Sequence, residues 1–433
     1  IPTGGGKTLT AIRAVNRLVK NNEIDSALWV THRKQLREQT ENYLTGQFAK
    51  QFEFSPELQK KFDIEMKASA NDLIQEQSYD FIVIDEAHHS AASTYQNFLE
   101  EETFILGLTA TPSRPDDREL DFAKQTYSIT FKELDEKHGV IEVPSFTQLY
   151  SDETIESNTL EVNSDETKLF DTDERNELIA KHLIENADRY NKVVVFVSNN
   201  EHVKNLYEEI RAENEFYNHP YDHVGFITGQ ENEQGLDSET YLENHQNKQS
   251  SVLVNCKMLN EGYDDPNLDT IVLGAPTNSL LRYMQCVGRV VRKPGESDTP
   301  PTVVEVEDDL PNISYRIDNR WLFADISDFL HPDVTEIKAD METLRVKAKE
   351  ILEKYNVSVS IPDLDESFSF ILFSPRRDLE ETSQWQIIPF WDDKAQSNRD
   401  VFNAFCNWSP ELAGNSVTEE YLNDKLGKPP LIQ

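Results

Sequence analysis

Residues 4–8 of the chain read GGGKT and lead into a stretch with the apolar spacing of an amphipathic helix. Glycines let backbone N–H groups close around phosphate oxygens, and the start of the following helix adds its positive dipole. In such a loop, Gly4, Gly5 and Gly6 form the cradle. Lys7 reaches the β- and γ-phosphates, and the Thr8 hydroxyl holds Mg²⁺. The strict pattern opens on glycine, where this chain has Ile1.

Residues 82–90, IVIDEAHHS, form an apolar run that ends in carboxylates. At the C-terminal end of a strand, Asp85 can hold Mg²⁺ through water, and Glu86 can orient and deprotonate an attacking water. The plain structural alternative is an acidic pair ahead of a helix cap. Its position after a glycine-rich phosphate loop favours the chemical reading. His89 reads as structural or solvated.

These residues need a frame that delivers them to one edge. Short apolar runs at 26–31, 81–85 and 104–109 read as buried strands, with helical patterns at 7–22, 34–44 and 91–101 between them. The alternation starts again with strands at 192–198, 223–228, 251–256, 269–274 and 302–307 and helices at 200–213, 239–245 and 279–287. Such alternation predicts α/β domains with parallel sheets covered by helices. The acidic stretch at 151–174 reads as a linker or insertion. The expected layout is a first domain at 1–150, the linker at 151–174, a second domain at 175–330 and a small accessory α+β module at 331–433. Within that module, 333–355 reads as a long helix, and 367–374 and 383–391 read as strands. Trp385 and Trp391 fall in an apolar strand pattern and are expected in its core.

The chain has 433 residues, with 42 Lys plus Arg against 79 Asp plus Glu, a net charge of −37. A surface that acidic repels nucleic acid, so any polyanion partner must meet local positive patches. Arg33, Lys34 and Arg37 form one candidate patch, and Arg282, Arg289, Arg292 and Lys293 form another. Three widely spaced cysteines, Cys256, Cys286 and Cys406, support neither a disulfide framework nor a zinc site and fit a reducing, cytoplasmic location. No run approaches the ~18 apolar residues that span a bilayer, so no membrane partner is expected.

The motifs together resemble the core of a superfamily 2 DEAD/DEAH-box helicase. The wording is similar to that of type III restriction translocase subunits and DNA repair helicases. PTGGGKT resembles motif I, VTHRKQLREQ (30–39) motif Ia, and DEAH (85–88) motif II. GLTATPSR (107–114) resembles motif III, the stretch 259–279 motif V, and QCVGRVVR (285–292) motif VI. The resemblance covers about residues 1–308 and implies two tandem RecA-like domains, ATP and Mg²⁺ as cofactors, and nucleic acid as the track, DNA rather than RNA. It implies that Arg289 and Arg292 sense and stabilise the γ-phosphate, for which a planar guanidinium suits, and that Gln285 faces the nucleotide. Gly262 and Asp264 then link the nucleotide to the bound strand, and His88, Thr109 and Thr111 couple the two functions. The resemblance further implies that Arg33, Thr109, Thr111 and Ser198 contact nucleic acid and that Asn278 touches its backbone.

Three departures qualify the resemblance. No strand or adenine-reading segment precedes the phosphate loop, so the sequence reads as a fragment lacking its N-terminus and is expected to bind nucleotide poorly by itself. Residues 67–77 lack the family's TxQ-like segment. No D…ExK nuclease triplet is evident, which places any nuclease on other sequence or on a restriction or phage-defence subunit of another chain. Two alternatives stand beside the helicase reading. One is a motor subunit that translocates without unwinding, and the other is a nucleic-acid-binding scaffold with an inactive ATPase.

Overall fold

In a computed structural model, the chain forms two compact units, the first spanning Ile1–Ile141 and the second beginning at Glu142. The structure describes residues 1, 4–87, 103–109, 127, 129, 131–157, 165–260, 263, 265–277, 280–291, 301–312 and 315–323, and the backbone of strands at 369–373 and 385–390.

The first unit runs α1 (Lys7–Lys20), β1 (Ala27–Thr31), α2 (Lys34–Leu44), α3 (Gly46–Gln51), α4 (Pro56–Lys61), β2 (Phe62–Met66), α5 (Lys67–Glu76), β3 (Phe81–Ile84), β4 (Phe104–Gly107) and α6 (Phe131–His138). Its sheet has the order β2-β1-β3-β4, and every pairing is parallel. Successive side chains of a strand point to opposite faces. Ala27 and Trp29 of β1 therefore pack with Ala11, Ile12, Val15 and Val19 of α1, while Leu28 and Val30 pack with Ile82, Ile84, Ala70 and Tyr79 on the other face. Burial on both faces is why these strands read as continuous apolar runs. Trp29 meets Phe62 edge-on at 6.1 Å. Residues 67–77, where a TxQ-like segment was sought, form α5.

The second unit adds β5 (Ser145–Thr154), α7 (Asp173–Glu185), β6 (Lys192–Phe196), α8 (Asn200–Phe216), β7 (His223–Ile227), α9 (Ser238–Gln246), β8 (Ser251–Asn255), β9 (Thr270–Leu273), α10 (Leu280–Val287) and β10 (Thr302–Asp309). Six strands lie in the order β5-β10-β9-β6-β8-β7, again all parallel. Val193 and Val195 of β6, with Val197 just beyond it, build the core with Ile179 and Leu183 of α7 and Leu206 and Ile210 of α8. Three shorter strands, β11 (Tyr315–Ile317), β12 (Ser369–Phe373) and β13 (Trp385–Phe390), make a separate sheet. In it β13 is central, parallel to β11 and antiparallel to β12.

The expected linker at 151–174 differs from what the structure shows. Its first residues belong to β5, whose register runs from Ser145 opposite Thr302 to Thr154 opposite Asp309. Its last residues open α7, capped by the Thr172 hydroxyl, which accepts the Arg175 N–H at 3.3 Å. Polar residues fit there because β5 is an edge strand with one row of side chains exposed. The helices expected at 91–101 and 333–355, together with Trp391, lie outside the described residues. Among the described residues no helix is long and apolar enough to cross a membrane.

Buried charge ties the second unit together. The guanidinium of Arg175 grips Asp308 through Nε–Oδ1 at 2.7 Å and Nη2–Oδ2 at 3.1 Å, and Ser151 Oγ donates to the same carboxylate at 2.7 Å. Lys192 Nζ sits 2.6 Å from Asp265 Oδ2 and donates to the carbonyls of His245 and Gln246. His202 is enclosed between the Ser198 hydroxyl (Nδ1, 2.9 Å) and Asn176 Oδ1 (Nε2, 3.1 Å). Burial, and after it the Arg175 charge, lowers its pKa to about 3. Burial and the Lys192 charge do the same to His245.

A pH dependence follows with a definite sign. Both histidines are neutral when folded down to about pH 3 but take up a proton near 6.5 when unfolded. Below 6.5 the unfolded chain binds more protons, so stability falls with pH by about 1.4 kcal/mol per unit for each histidine. Urea unfolding of the second unit is expected to show a lower midpoint at pH 5.5 than at pH 7.5. An unchanged midpoint contradicts this.

Candidate active site

In the first unit, the phosphate loop is built by left-handed backbone. Gly4 has φ 82° and Gly6 φ 78°. Gly6 is the residue from which α1 starts; its carbonyl accepts the Thr10 N–H at 2.9 Å. The first turn of α1 has neither a side-chain cap nor an acidic residue. Its first N–H groups have no intrahelical acceptor, and the helix dipole makes that end attractive to an anion. Lys7 is 9 % exposed, and its Nζ lies 3.5 Å from Glu86 Oε1.

The strand β3 delivers the acids. Beyond Ile84 the Asp85 N–H still donates to the Val30 carbonyl at 2.9 Å, which continues the pairing with β1. Asp85 is buried, and its Oδ1 accepts the Glu86 N–H at 3.0 Å. Glu86 then takes φ 49°, a left-handed conformation rare outside glycine, and Ala87 donates to the Leu108 carbonyl at 2.7 Å. This single left-handed residue, the kind of strain stored at functional sites, sits between the Asp85–Val30 and Ala87–Leu108 bonds, with the Glu86 carboxylate towards Lys7. Past the end of β4, the Leu108 N–H donates to the Ile84 carbonyl at 2.9 Å. The strand ends and the phosphate loop thus converge on one edge. The oxygens of Thr8 and Asp85 are hard donors suited to Mg²⁺, and the uncapped helix start with Lys7 suits a polyphosphate. The residues present fit both groups.

In the second unit, α10 carries Arg282 and the buried Gln285, with Arg289 directly after it. Arg289 Nη2 donates to the Asn260 carbonyl at 2.7 Å. Cys286 is buried, and burial pushes its thiol up to about 11 against the opposing charges of Arg282 and Arg289.

Three expectations change. Ser198 does not offer its side chain to nucleic acid. It is 1 % exposed and closes the hydrogen-bond network of His202, with Asn199 Nδ2 donating to its hydroxyl at 3.1 Å. Arg282 is not part of a surface patch. It is 8 % exposed, and its Nη2 donates to the carbonyls of Val197 (3.0 Å) and Cys256 (3.3 Å). Around Arg33, the neighbouring Lys34 pairs with Glu38 at 3.2 Å, and Arg37 pairs with Glu41 at 2.9 Å and Glu65 at 3.5 Å. The patch is therefore largely matched by carboxylates. His88, Thr111, Gly262, Asp264, Asn278, Arg292 and Lys293 lie outside the described residues. Sequence reasoning did not single out Asn260, whose carbonyl anchors Arg289. It precedes the Glu-Gly-Tyr-Asp run, and that adjacency was the available signal.

Two family models match the chain: "Type III restriction enzyme, res subunit" over residues 1–114 and "Helicase conserved C-terminal domain" over 174–294. A Saccharomyces cerevisiae protein named for an ATP-dependent helicase, IRC3, is 26% identical over 334 residues, covering 67% of this chain and 45% of the relative. A type I restriction enzyme endonuclease subunit of Staphylococcus saprophyticus is 25% identical, covering 55% of this chain and 30% of the relative. The chain thus spans less than half the length of these curated relatives. A solved fragment of a type I restriction enzyme HsdR subunit from Vibrio vulnificus aligns at TM-score 0.47 and 20% identity, covering 66% of this chain and 58% of that one.

The geometry of the loop gives a testable cost. A Cβ added at Gly6 meets nothing within 4 Å, so Gly6→Ala is penalised by its positive φ alone. The left-handed conformation costs an L-residue about 1–2 kcal/mol. Equilibrium unfolding of the first unit is expected to record a loss of that order, and an unchanged midpoint contradicts it.

Proposed function

We propose that this chain is a superfamily 2 helicase of the branch related to restriction-enzyme translocases, which the two family matches and the helicase relative support, and that it hydrolyses ATP to ADP and phosphate while moving along nucleic acid, DNA in preference to RNA. The observation that carries the reading is the Lys7–Glu86 approach of 3.5 Å at an uncapped helix start, with Asp85 buried beside it.

In this reading Gly4, Gly5 and Gly6 wrap the phosphates with backbone N–H groups, and Lys7 leaves Glu86 to neutralise the terminal phosphate. Glu86 is then free to orient a water and accept its proton. Thr8 and Asp85 would hold Mg²⁺, which when bound would supply charge neutralisation at the phosphate oxygens. Arg289, with Arg292 and Gln285, serves the γ-phosphate from the second unit, so hydrolysis is coupled to closure of the two units. Contacts with the track fall mainly on phosphate and sugar, which leaves sequence preference weak. Arg33, Thr109 and Thr111 contribute there, and His88, Gly262 and Asp264 couple the track to the nucleotide. The match to a restriction res subunit favours a second reading of the same chemistry: a motor subunit that translocates without separating strands and works with a nuclease or defence subunit on another chain. A cytoplasmic location fits the free, buried Cys256 and Cys286.

The experiment is ATP hydrolysis with and without single-stranded DNA, duplex DNA and RNA. Glu86→Gln is expected to lower kcat by about 10²–10⁴-fold, the usual worth of a positioned general base, while ATP binding persists; Lys7→Ala is expected to abolish stimulation. Hydrolysis indifferent to every polymer, or unaffected by Glu86→Gln, would sink the proposal.

A further inference from the structure

On α10, Arg282 lies three residues before Gln285, a spacing that returns to one helix face, and Arg289 follows two residues past the end of the helix. Its guanidinium is buried and turned inward. Nη2 donates to the Val197 carbonyl at 3.0 Å and to the Cys256 carbonyl at 3.3 Å. These carbonyls stand one residue past β6 and one residue past β8, neighbouring strands of the second sheet. One side chain therefore bridges two strand ends where the ladder stops. The segment leaving β8 is held from both sides. Asn255 Oδ1 accepts the Leu259 N–H at 3.2 Å, while Asn255 Nδ2 donates to the Val195 carbonyl at 3.1 Å. From α10, the Cys286 thiol reaches Asn260 Oδ1 at 3.7 Å, and Arg289 donates to the Asn260 carbonyl at 2.7 Å.

We propose that Arg282 is a positioning residue: it fastens α10 to the carboxyl ends of β6 and β8, and so holds Arg289 and the loop at 257–260 as one body. The catalytic consequence rests on the ATPase reading; the brace itself rests on the hydrogen bonds alone. A buried guanidinium suits this task because its planar Nη2 group aims two N–H bonds in fixed directions, one at each carbonyl, which an ammonium on a flexible stem does less well.

Three readouts on Arg282→Met and Arg282→Lys test this. Amide hydrogen exchange over 256–260 is expected to quicken at least tenfold in Arg282→Met. In polymer-stimulated hydrolysis, Arg282→Met is expected to lose at least tenfold in kcat with KM for ATP within threefold of the parent, and Arg282→Lys to recover part of that loss. The salt dependence of DNA binding is expected to stay unchanged, whereas removing a phosphate contact lowers its slope by about one. Parent-like exchange in Arg282→Met overturns the brace. A reduced salt slope with unchanged kcat overturns it too and makes Arg282 a phosphate contact. If the parent hydrolyses no ATP, the functional reading falls, and hydrogen exchange still decides the brace. Should Arg282→Met fail to fold, Arg282→Lys carries the exchange test, and parent-like protection of 256–260 there overturns the proposal.

Discussion

The hydrogen bonds that hold β1 parallel to β3, and β6 parallel to β8 and β9, decide where each functional residue stands. In a parallel sheet every strand ends on the same edge, and ligands of open α/β sheets collect there. Asp85, Glu86 and Thr109 follow the ends of β3 and β4, and Ser198 and Cys256 follow the ends of β6 and β8. The edge is built the same way in both units, but it is used differently. In the first it carries acids and a phosphate loop. In the second its carbonyls are the anchorage for arginines of α10.

Cations are scarce in this chain, 42 against 79 carboxylates, and several of them are buried. Arg175 and Lys192 hold Asp308 and Asp265, Arg320 is paired with Asp318, and Arg282 serves backbone carbonyls. Removing one partner of such a buried pair leaves an uncompensated charge, which costs about 3–5 kcal/mol. The positive charge left for the surface is smaller than the composition suggests, and part of it, as at Lys34 and Arg37, is matched locally. A strongly acidic surface of this kind repels polyanions, so the proposed track asks for few, well-placed donors rather than a broad positive field.

The central strands were legible because burial on both faces writes an unbroken apolar run, as in residues 192–196 and 251–255. The strands that escaped reading, β2, β5 and the short β11, are edge strands of the described sheets. There alternating polar residues look like loop, and Asp63, Glu65, Asp152 and Glu153 hide the period of two. α7 was masked in the same way, because its buried face includes Arg175 and Asn176 beside Ile179 and Leu183. At the site, Lys7, Asp85 and Glu86 were readable from residue type and order. The inward turn of Ser198 and Arg282 was not, since a sequence marks a side chain as polar without saying whether it meets water or a carbonyl.

The pairing of β5 with β10 joins Ser145 to Thr302 across 157 residues. During synthesis β5 emerges first and waits for β10, its one sheet neighbour among the described residues. At about 5–20 residues per second, that wait lasts roughly 8–30 s. An unpaired apolar strand would invite aggregation over such an interval. β5 ends in Ser-Asp-Glu-Thr, with Asp152 and Thr154 exposed, and charged side chains on an edge oppose pairing with a foreign strand, so the acidity that disguises it as a linker suits a strand that must wait.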